Sequence, residues 1–405
     1  MIYTRKSDVT AGRVARSVGK PHATILDQHE ILALGAEWEE LAAHAVQENP
    51  YYTRRYVTAQ LAYIERRPVQ ALAVWQDHKL IAFLPFVKDP WRWGGIVYVN
   101  KSWSTPYTTL SVPLIDARFA QSASTALLSA MASGLTGSST WLLLDVTLKG
   151  SAFRHLHQAQ TTLDLRSKTF DIFERATLSR SGTFDEHLKT HLSKNRRKSL
   201  NRNRRRLEEA GPLSLETYTE GEKLEEALQH FLRLEQSGWK GRSGTALAST
   251  PQTRAFAEMA FGNQPIGSPT NHTTETAKYL ETRIDLLMLN DQPIAASVSV
   301  QAGRTAFTLK SAFDESYRHQ SPGLLLEEAI IRSFLNGNWA DRLDSAADAG
   351  HVLETLWNGT ITVGDVLLTA SQSNAKFLFG AFTFLETTRR MARQTMKQAL
   401  RSLRR

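Results

Sequence analysis

Apolar residues recur at helical spacing between residues 30 and 65 (Ile31, Leu32, Leu34, Trp38, Leu41), and Asn49-Pro50-Tyr51-Tyr52 divides the run into two helices, with Pro50 suited to the start of the second. From Val69 the period changes. Val69–Trp75 and Leu80–Val87 are apolar runs joined by Gln76-Asp77-His78-Lys79, the pattern of a β-hairpin. Strands are also predicted at Trp91–Val99, Trp141–Val146 and Thr169–Leu178, with an aromatic loop at Lys101–Leu110 and an Ala/Ser-rich helix over residues 121–134. The second half opens with helices over 184–210, 220–238 and 251–262, crosses a polar loop at Asn263–Thr276, and continues as strands over 279–289, 292–301 and 304–313. A helix is expected from near Pro322. After it come a short strand at Arg342–Ser345, a helical turn at Val352–Leu356, a strand at Thr360–Ala370 and a basic helix from about 375 to 404.

Leu72–Ala82 and Leu286–Ala295 share an order: an apolar strand, an Asp-containing turn, and a strand beginning Ile-Ala. A common hairpin and an internal duplication both account for this. Their separation by half a chain suits a tandem α/β (α+β) architecture of two mixed-sheet units. The divisions expected are a flexible leader over 1–28, a first unit over 29–165, a second over 166–372, and a basic helix over 373–405.

The chain has 405 residues, 41% hydrophobic and 22% charged, enough for a sizeable core in two or three domains. The formal charge of +9 allows an anionic partner without requiring one. There is no cysteine, which excludes disulfides, thiolate metal sites and a cysteine nucleophile. No apolar run reaches the roughly 18 residues of a membrane span, and the polar N-terminus is unlike a signal peptide. The default compartment is the cytoplasm.

Four segments carry candidate chemistry. A strand ending at Asp314, followed by Ser321-Pro322-Gly323 and a helix, is either a plain helix start or a place where the amides of Gly323, Leu324 and Leu325 meet an anion such as pyrophosphate. Gly238-Trp239-Lys240 is either a helix cap with a packed Trp or the rim of a cleft, with Lys240 facing an anion. Lys194–Leu207 holds eight Lys/Arg in fourteen residues, which fits a solvated face, a phosphate contact or a nucleic-acid surface; without aromatic platforms, nucleic acid is the lesser expectation. Asp344 ends a short strand, where a carboxylate serves as a base or caps a turn. His187 and His191, four apart, are read as a polar helix start beside a basic run rather than a metal pair, and no metal is expected. The usual nucleophile-elbow, phosphate-loop, zinc-protease and dinucleotide motifs are missing.

In order, Arg205–Gly211, Leu234–Ala246, Pro293–Ala295, Lys310…Asp314…Tyr317…Gly323 and Leu343-Asp344-Ser345…Trp357 resemble the GNAT-like acetyltransferase domain of CelD-like (cellulose-biosynthesis-type) bacterial proteins over about residues 165–370. The first half is similar to them at Asn49-Pro50-Tyr51 and Val112–Asp116. That family resembles the tandem GNAT architecture of Fem-type peptidyltransferases. The resemblance implies two GNAT-like units, each a mixed, mostly antiparallel sheet flanked by helices, and transfer from acetyl-CoA or another acyl-CoA to a small-molecule or polymer-linked amine, in surface polysaccharide or envelope biosynthesis. The first unit is expected to be degenerate, and a homodimer is left open. One departure is Leu353-Glu354, where many members carry Tyr-Lys before the Trp matched by Trp357. On this reading Arg318, Ser321, Gly323, Leu324 and Leu325 hold the cofactor. Asp344 (as base), Tyr317 (as proton donor) and Lys310 are the catalytic candidates, and Trp239, Lys240, Asp314 and Trp357 bind the acceptor. Asp344→Asn is expected to cut turnover with little loss of folding. The competing reading is a non-catalytic GNAT-like protein that binds nucleic acid or another polyanion through residues 194–206.

Overall fold

The computed structural model describes residues 19–90, 98–263, 280–370 and 379–392. In the first half, β1 (His22–Leu26) leads into α1 (Gln28–Ala33), α2 (Ala36–Ala43) and, past a 3-10 turn opened by Pro50, α3 (Arg54–Tyr63). β2 (Gln70–Gln76), β3 (Lys79–Pro90) and β4 (Tyr98–Ser102) form an antiparallel meander, with β5 (Leu114–Ile115) beside β3. α4 (Ala120–Ala132) then crosses to β6 (Thr140–Thr147), parallel to β4, and α5 (Ser151–Thr162) and β7 (Arg166–Ser179) follow. After α6 (Phe184–His191) and α7 (Lys194–Glu208) the plan repeats. β8 (Leu213–Tyr218) precedes α8 (Gly221–Ser237), the short α9 (Trp239–Arg242) and α10 (Pro251–Phe261). The meander β9 (Leu280–Leu289), β10 (Gln292–Ala302), β11 (Thr305–Phe313) leads through α11 (Pro322–Asn336) to β12 (Arg342–Asp344), parallel to β11, and then β13 (Gly359–Thr369). Residues 379–392 form a last helix, α12.

The strands make one sheet in the order β1-β2-β3-β4-β6-β13-β7-β12-β11-β10-β9-β8. Read from either end, this sequence of elements is the same plan, so each half is a mixed, mostly antiparallel sheet with one parallel step. The halves exchange their final strands: β13 lies against β6 of the first half, and β7 against β12 of the second. β7 and β13 pair with each other from Gly359↔Thr177 to Thr369↔Arg166, which fuses the two sheets. The repeated hairpin extends to its turns. Asp77-His78 and Asn290-Asp291 both have positive φ at both positions, as a two-residue type I′ turn requires. A single buried apolar cluster runs through both halves, and Arg55 of α3 donates to the Met259 carbonyl of α10 at 3.0 Å.

Several elements differ from the sequence expectation. Residues 22–26, placed in the flexible leader, are an edge strand paired with β2 from His22↔Trp75 to Leu26↔Ala71. The predicted helix over 184–210 is two helices, because Ser193 leaves helical geometry and its side chain caps α7 by accepting from the Arg196 amide. α5 and β8 were not foreseen: α5 is rich in His, Gln and Thr, and β8 is a six-residue strand of mixed polarity. Most of the predicted strand at Trp91–Val99, the polar loop and both ends of the basic C-terminal helix lie outside the described residues. α12 is held by Arg390, which pairs with Asp365 at 2.8 Å, with Glu386 at 2.7 Å and with Asp171.

Candidate functional site

β11 and β12 pair only through Thr305↔Arg342, Ala306↔Leu343 and Phe307↔Asp344; β12 then stops and β11 continues to Phe313. The strands part here, and the edge of β11 facing the gap loses its backbone partner. Just beyond the fork the other edge of β11 carries a bulge: Val298 pairs with Lys310 and Ser299 with Thr308, so Leu309 is the extra residue. A cavity of about 510 Å³ fills the gap. β11 residues from Thr308 to Phe313, the start of α11, and the loop from Ser345 to Leu356 surround it.

α11 starts abruptly. Ser321 is in the left-handed region (φ 52°), and its side chain makes no cap. Pro322 has no amide hydrogen, Leu324 and Leu325 donate to the Ser321 carbonyl at 3.0 and 3.3 Å, and the Gly323 amide has no acceptor among the described residues. Arg318, Ser321, Gly323 and Leu324 line the cavity, so the helix start faces it with its positive end. A Cβ on Gly323 would meet only the Phe313 ring at 3.6 Å, so the approach to these amides is open. Leu325 points into the core at 1% exposure, and its amide is already engaged.

Glu327, one turn along α11, is on the cavity wall and was missed by the sequence reading. It is 8% exposed, and the Trp357 indole donates to its Oε1 at 2.7 Å. Burial pushes its carboxyl up to about 7, a rise the Trp357 hydrogen bond partly offsets. A signal was present: Glu327 lies on the stripe Gly323, Glu327, Ile330, Phe334, an acid on an otherwise apolar face. His351 also lines the cavity, held below its usual basicity chiefly by burial. The Ser297 and Ser345 hydroxyls line it too, both buried and without a hydrogen-bond partner among the described residues.

Lys240 and Lys310 line the cavity at the α8 side. Both contact Glu235 Oε1, at 3.5 and 3.0 Å, while Lys240 also donates to the Ser311 carbonyl at 2.8 Å. The first half reaches this wall: Lys310 Nζ is 6.0 Å from the centre of the Tyr107 ring, and Tyr51 packs edge-on against Phe307 at 5.9 Å.

Other sequence candidates are placed elsewhere. Asp344 does not line the cavity. It is 3% exposed, accepts from the Ala346 amide at 2.8 Å and faces buried Arg175 at 3.9 Å. That guanidinium is fixed by the Thr109 and Ala347 carbonyls and joins the halves. The expected base role does not fit this placement; the carboxylate offsets a buried cation. Asp344→Ala should lower unfolding free energy by about 3 kcal/mol by stranding Arg175, as read by urea denaturation. Tyr317, in the turn before α11, packs against the second-half core and off the cavity, which does not fit the expected proton-donor role. Asp314 caps the turn before α11 through the Ser316 amide and hydroxyl. Trp357 acts behind Glu327, and Trp239 is 56% exposed outside the cavity, its amide held by Glu315. The basic helix α7 buries Leu200, Asn203 and Leu207 and pairs Arg204 with Glu328 of α11 at 2.8 Å. His187 sits in the core, a ring nitrogen 2.8 Å from the Leu356 carbonyl. Among the described residues no acid, histidine or cysteine cluster could hold a metal, and no helix is long and apolar enough to cross a membrane.

At the matching place in the first half the fork is bridged. β4 and β6 pair at Asn100↔Trp141 and Lys101↔Leu142, and beyond them the Leu144 amide donates to Ser102 Oγ at 2.8 Å across the fork. Ahead of α4 stands fully buried Asp116, paired with Arg118.

Residues 194–345 match the family described as acetyltransferase (GNAT) domain. No curated protein matches the chain. Among solved structures, a conserved Bacteroides thetaiotaomicron protein of unknown function aligns at 12% identity with a TM-score of 0.51, covering 85% of this chain and 99% of its own. FemX aligns at 12% and 0.51, covering 82% and 95%. A tandem GNAT protein from the clavulanic acid biosynthesis pathway aligns at 12% and 0.41, covering 87% and 100%. At these identities the two alignments with a TM-score of 0.51 speak to the fold alone, and the CelD-like assignment rests on the sequence resemblance alone.

Proposed function

We propose that the chain is an N-acyltransferase that moves an acyl group from an acyl-CoA thioester, acetyl-CoA first, to an amine. The observation that carries this reading is the parted pair β11/β12, with the uncapped start of α11 opening into the cavity between them. The pyrophosphate sits at the Gly323 amide beside Arg318 and the Ser321 hydroxyl, and the pantetheine runs along the free edge of β11. The thioester carbonyl lies beside the free edge of β11, whose unpaired backbone amides receive the developing oxyanion. The amine attacks that carbonyl, Glu327 takes the proton lost from nitrogen, directly or through water, and the sulfur leaves as the bond to it breaks. The proton given up by nitrogen balances the one gained by the departing thiolate, which the Ser345 hydroxyl or the His351 ring passes on. No protein nucleophile is needed, in accord with a chain that has no cysteine.

With its fork bridged and an acid before α4, the first unit serves as support, supplying Tyr51 and Tyr107 to the second. The CelD-like resemblance supports an acceptor from surface-polysaccharide or envelope biosynthesis and a reaction in the cytoplasm, where acyl-CoA is made. A thermal-shift series with acetyl-, butyryl-, hexanoyl- and octanoyl-CoA tests the donor. A rise in Tm with at least one thioester is expected from ordinary binding linkage; a flat response to all four would overturn the donor assignment.

A further inference from the structure

We infer that the amine acceptor carries a carboxylate, which the paired ammonium groups of Lys240 and Lys310 receive at the cavity mouth on the side opposite the helix start. The inference rests on the acyltransferase reading for the amine and on the lysine geometry for the anion. Lys310 is on the face of β11 that packs on α8, since it pairs with Val298, whose side chain belongs to the core on that side. Gly323 and Leu324 approach from α11 on the other face. The cavity touches both groups of residues. A donor whose phosphates lie at α11 therefore leaves the lysine side for the second substrate.

The charge at this mouth is unbalanced. Glu235 is 1% exposed and spends Oε2 on the Leu247 amide at 2.7 Å, so only Oε1 meets the two lysines. Two ammonium groups against one carboxylate leave a net positive charge. Each lysine has three N–H donors; Lys310 has one acceptor and Lys240 two among the described residues. Three donors are left over on a cavity wall. Burial also presses Lys240 below its ordinary basicity, a cost that an incoming anion relieves. Glu235 is a positioning residue: it gathers the lysines and tempers their charge.

The test uses the full-length protein and paired probes, the common α-amino acids against their α-carboxamides. Two readouts are used: thiol release from acetyl-CoA, and calorimetric binding of N-acetyl amino acids with no CoA present. The expected result is turnover with at least one amino acid at a kcat/KM tenfold or more above that of its amide. Lys240→Met and Lys310→Met should each raise the amino-acid KM about tenfold and erase the preference, with KM for acetyl-CoA unchanged. Glu235→Gln, which keeps an acceptor for Leu247 and removes the neutralising charge, should lower the amino-acid KM severalfold, an improvement no structural defect would produce. Equal rates with acids and amides, or no turnover and no calorimetric binding with either, would overturn the proposal. Acetyl-CoA binding with equal rates would sink the carboxylate subsite alone. N-acetyl amino acid binding that weakens in Lys240→Met, without acetyl-CoA binding, would uphold the subsite and sink the donor assignment.

Discussion

Glu327→Gln is expected to cut turnover by about a hundredfold or more while leaving the Kd for acetyl-CoA unchanged, measured by steady-state kinetics and calorimetry. Glutamine fills the same space and still accepts from the Trp357 indole, so packing is kept and only proton transfer is lost. Wild-type kcat/KM should rise with pH through about 7, where the buried carboxyl ionises, and the variant should show no such step. Stability moves in the other direction. The folded value lies above the ordinary 4.5, so between about 4.5 and 7 the native state holds a proton that the unfolded chain has released. Wild-type stability therefore falls as pH rises through that window and stays reduced above it. Glutamine removes this cost. The variant should be more stable than wild type at pH 8, by about 1–3 kcal/mol, and equal to it below pH 4.5. A variant that is inactive yet more stable at pH 8 would mark Glu327 as functional; an active one would remove it from the mechanism.

Gly323→Asp is the second large effect. The side chain has room, with only the Phe313 ring nearby at 3.6 Å. An acid in the first turn of a helix stabilises it by about 0.3–1 kcal/mol, so Tm should hold or rise. The same carboxylate occupies the place assigned to the pyrophosphate and repels it. The Kd for acetyl-CoA should weaken about a hundredfold, equivalent to about 2.7 kcal/mol, as read by calorimetry. If Gly323→Asp binds acetyl-CoA as wild type does, the phosphates do not sit at α11.

The hairpins were legible because their alternation and Asp-containing turns are local, and both were found at Gln70–Pro90 and Leu280–Ala302. The helix start at Pro322-Gly323 was legible for the same reason. What sequence could not supply was which side chains face inward after the strands part. Asp344 and Tyr317 are close in sequence to cavity residues, yet one is turned toward Arg175 and the other packs against the core, and the acid on the cavity wall is Glu327. Lys240 and Lys310 are far apart in sequence, and their shared Glu235 reads as an ordinary helical acid until α8 is laid across β11. The exchange of β7 and β13 is a long-range pairing with no local signature.

That exchange sets a timetable for synthesis on the ribosome. The free edge of β6 ends at Thr147, and the strand that covers it begins at Gly359. At roughly 5–20 residues per second, a nascent chain waits on the order of ten to forty seconds with that apolar border unpaired. Such a border invites wrong partners, so holding chaperones should raise the yield of folded protein more than any gain in final stability, and neither half made alone should accumulate in soluble form.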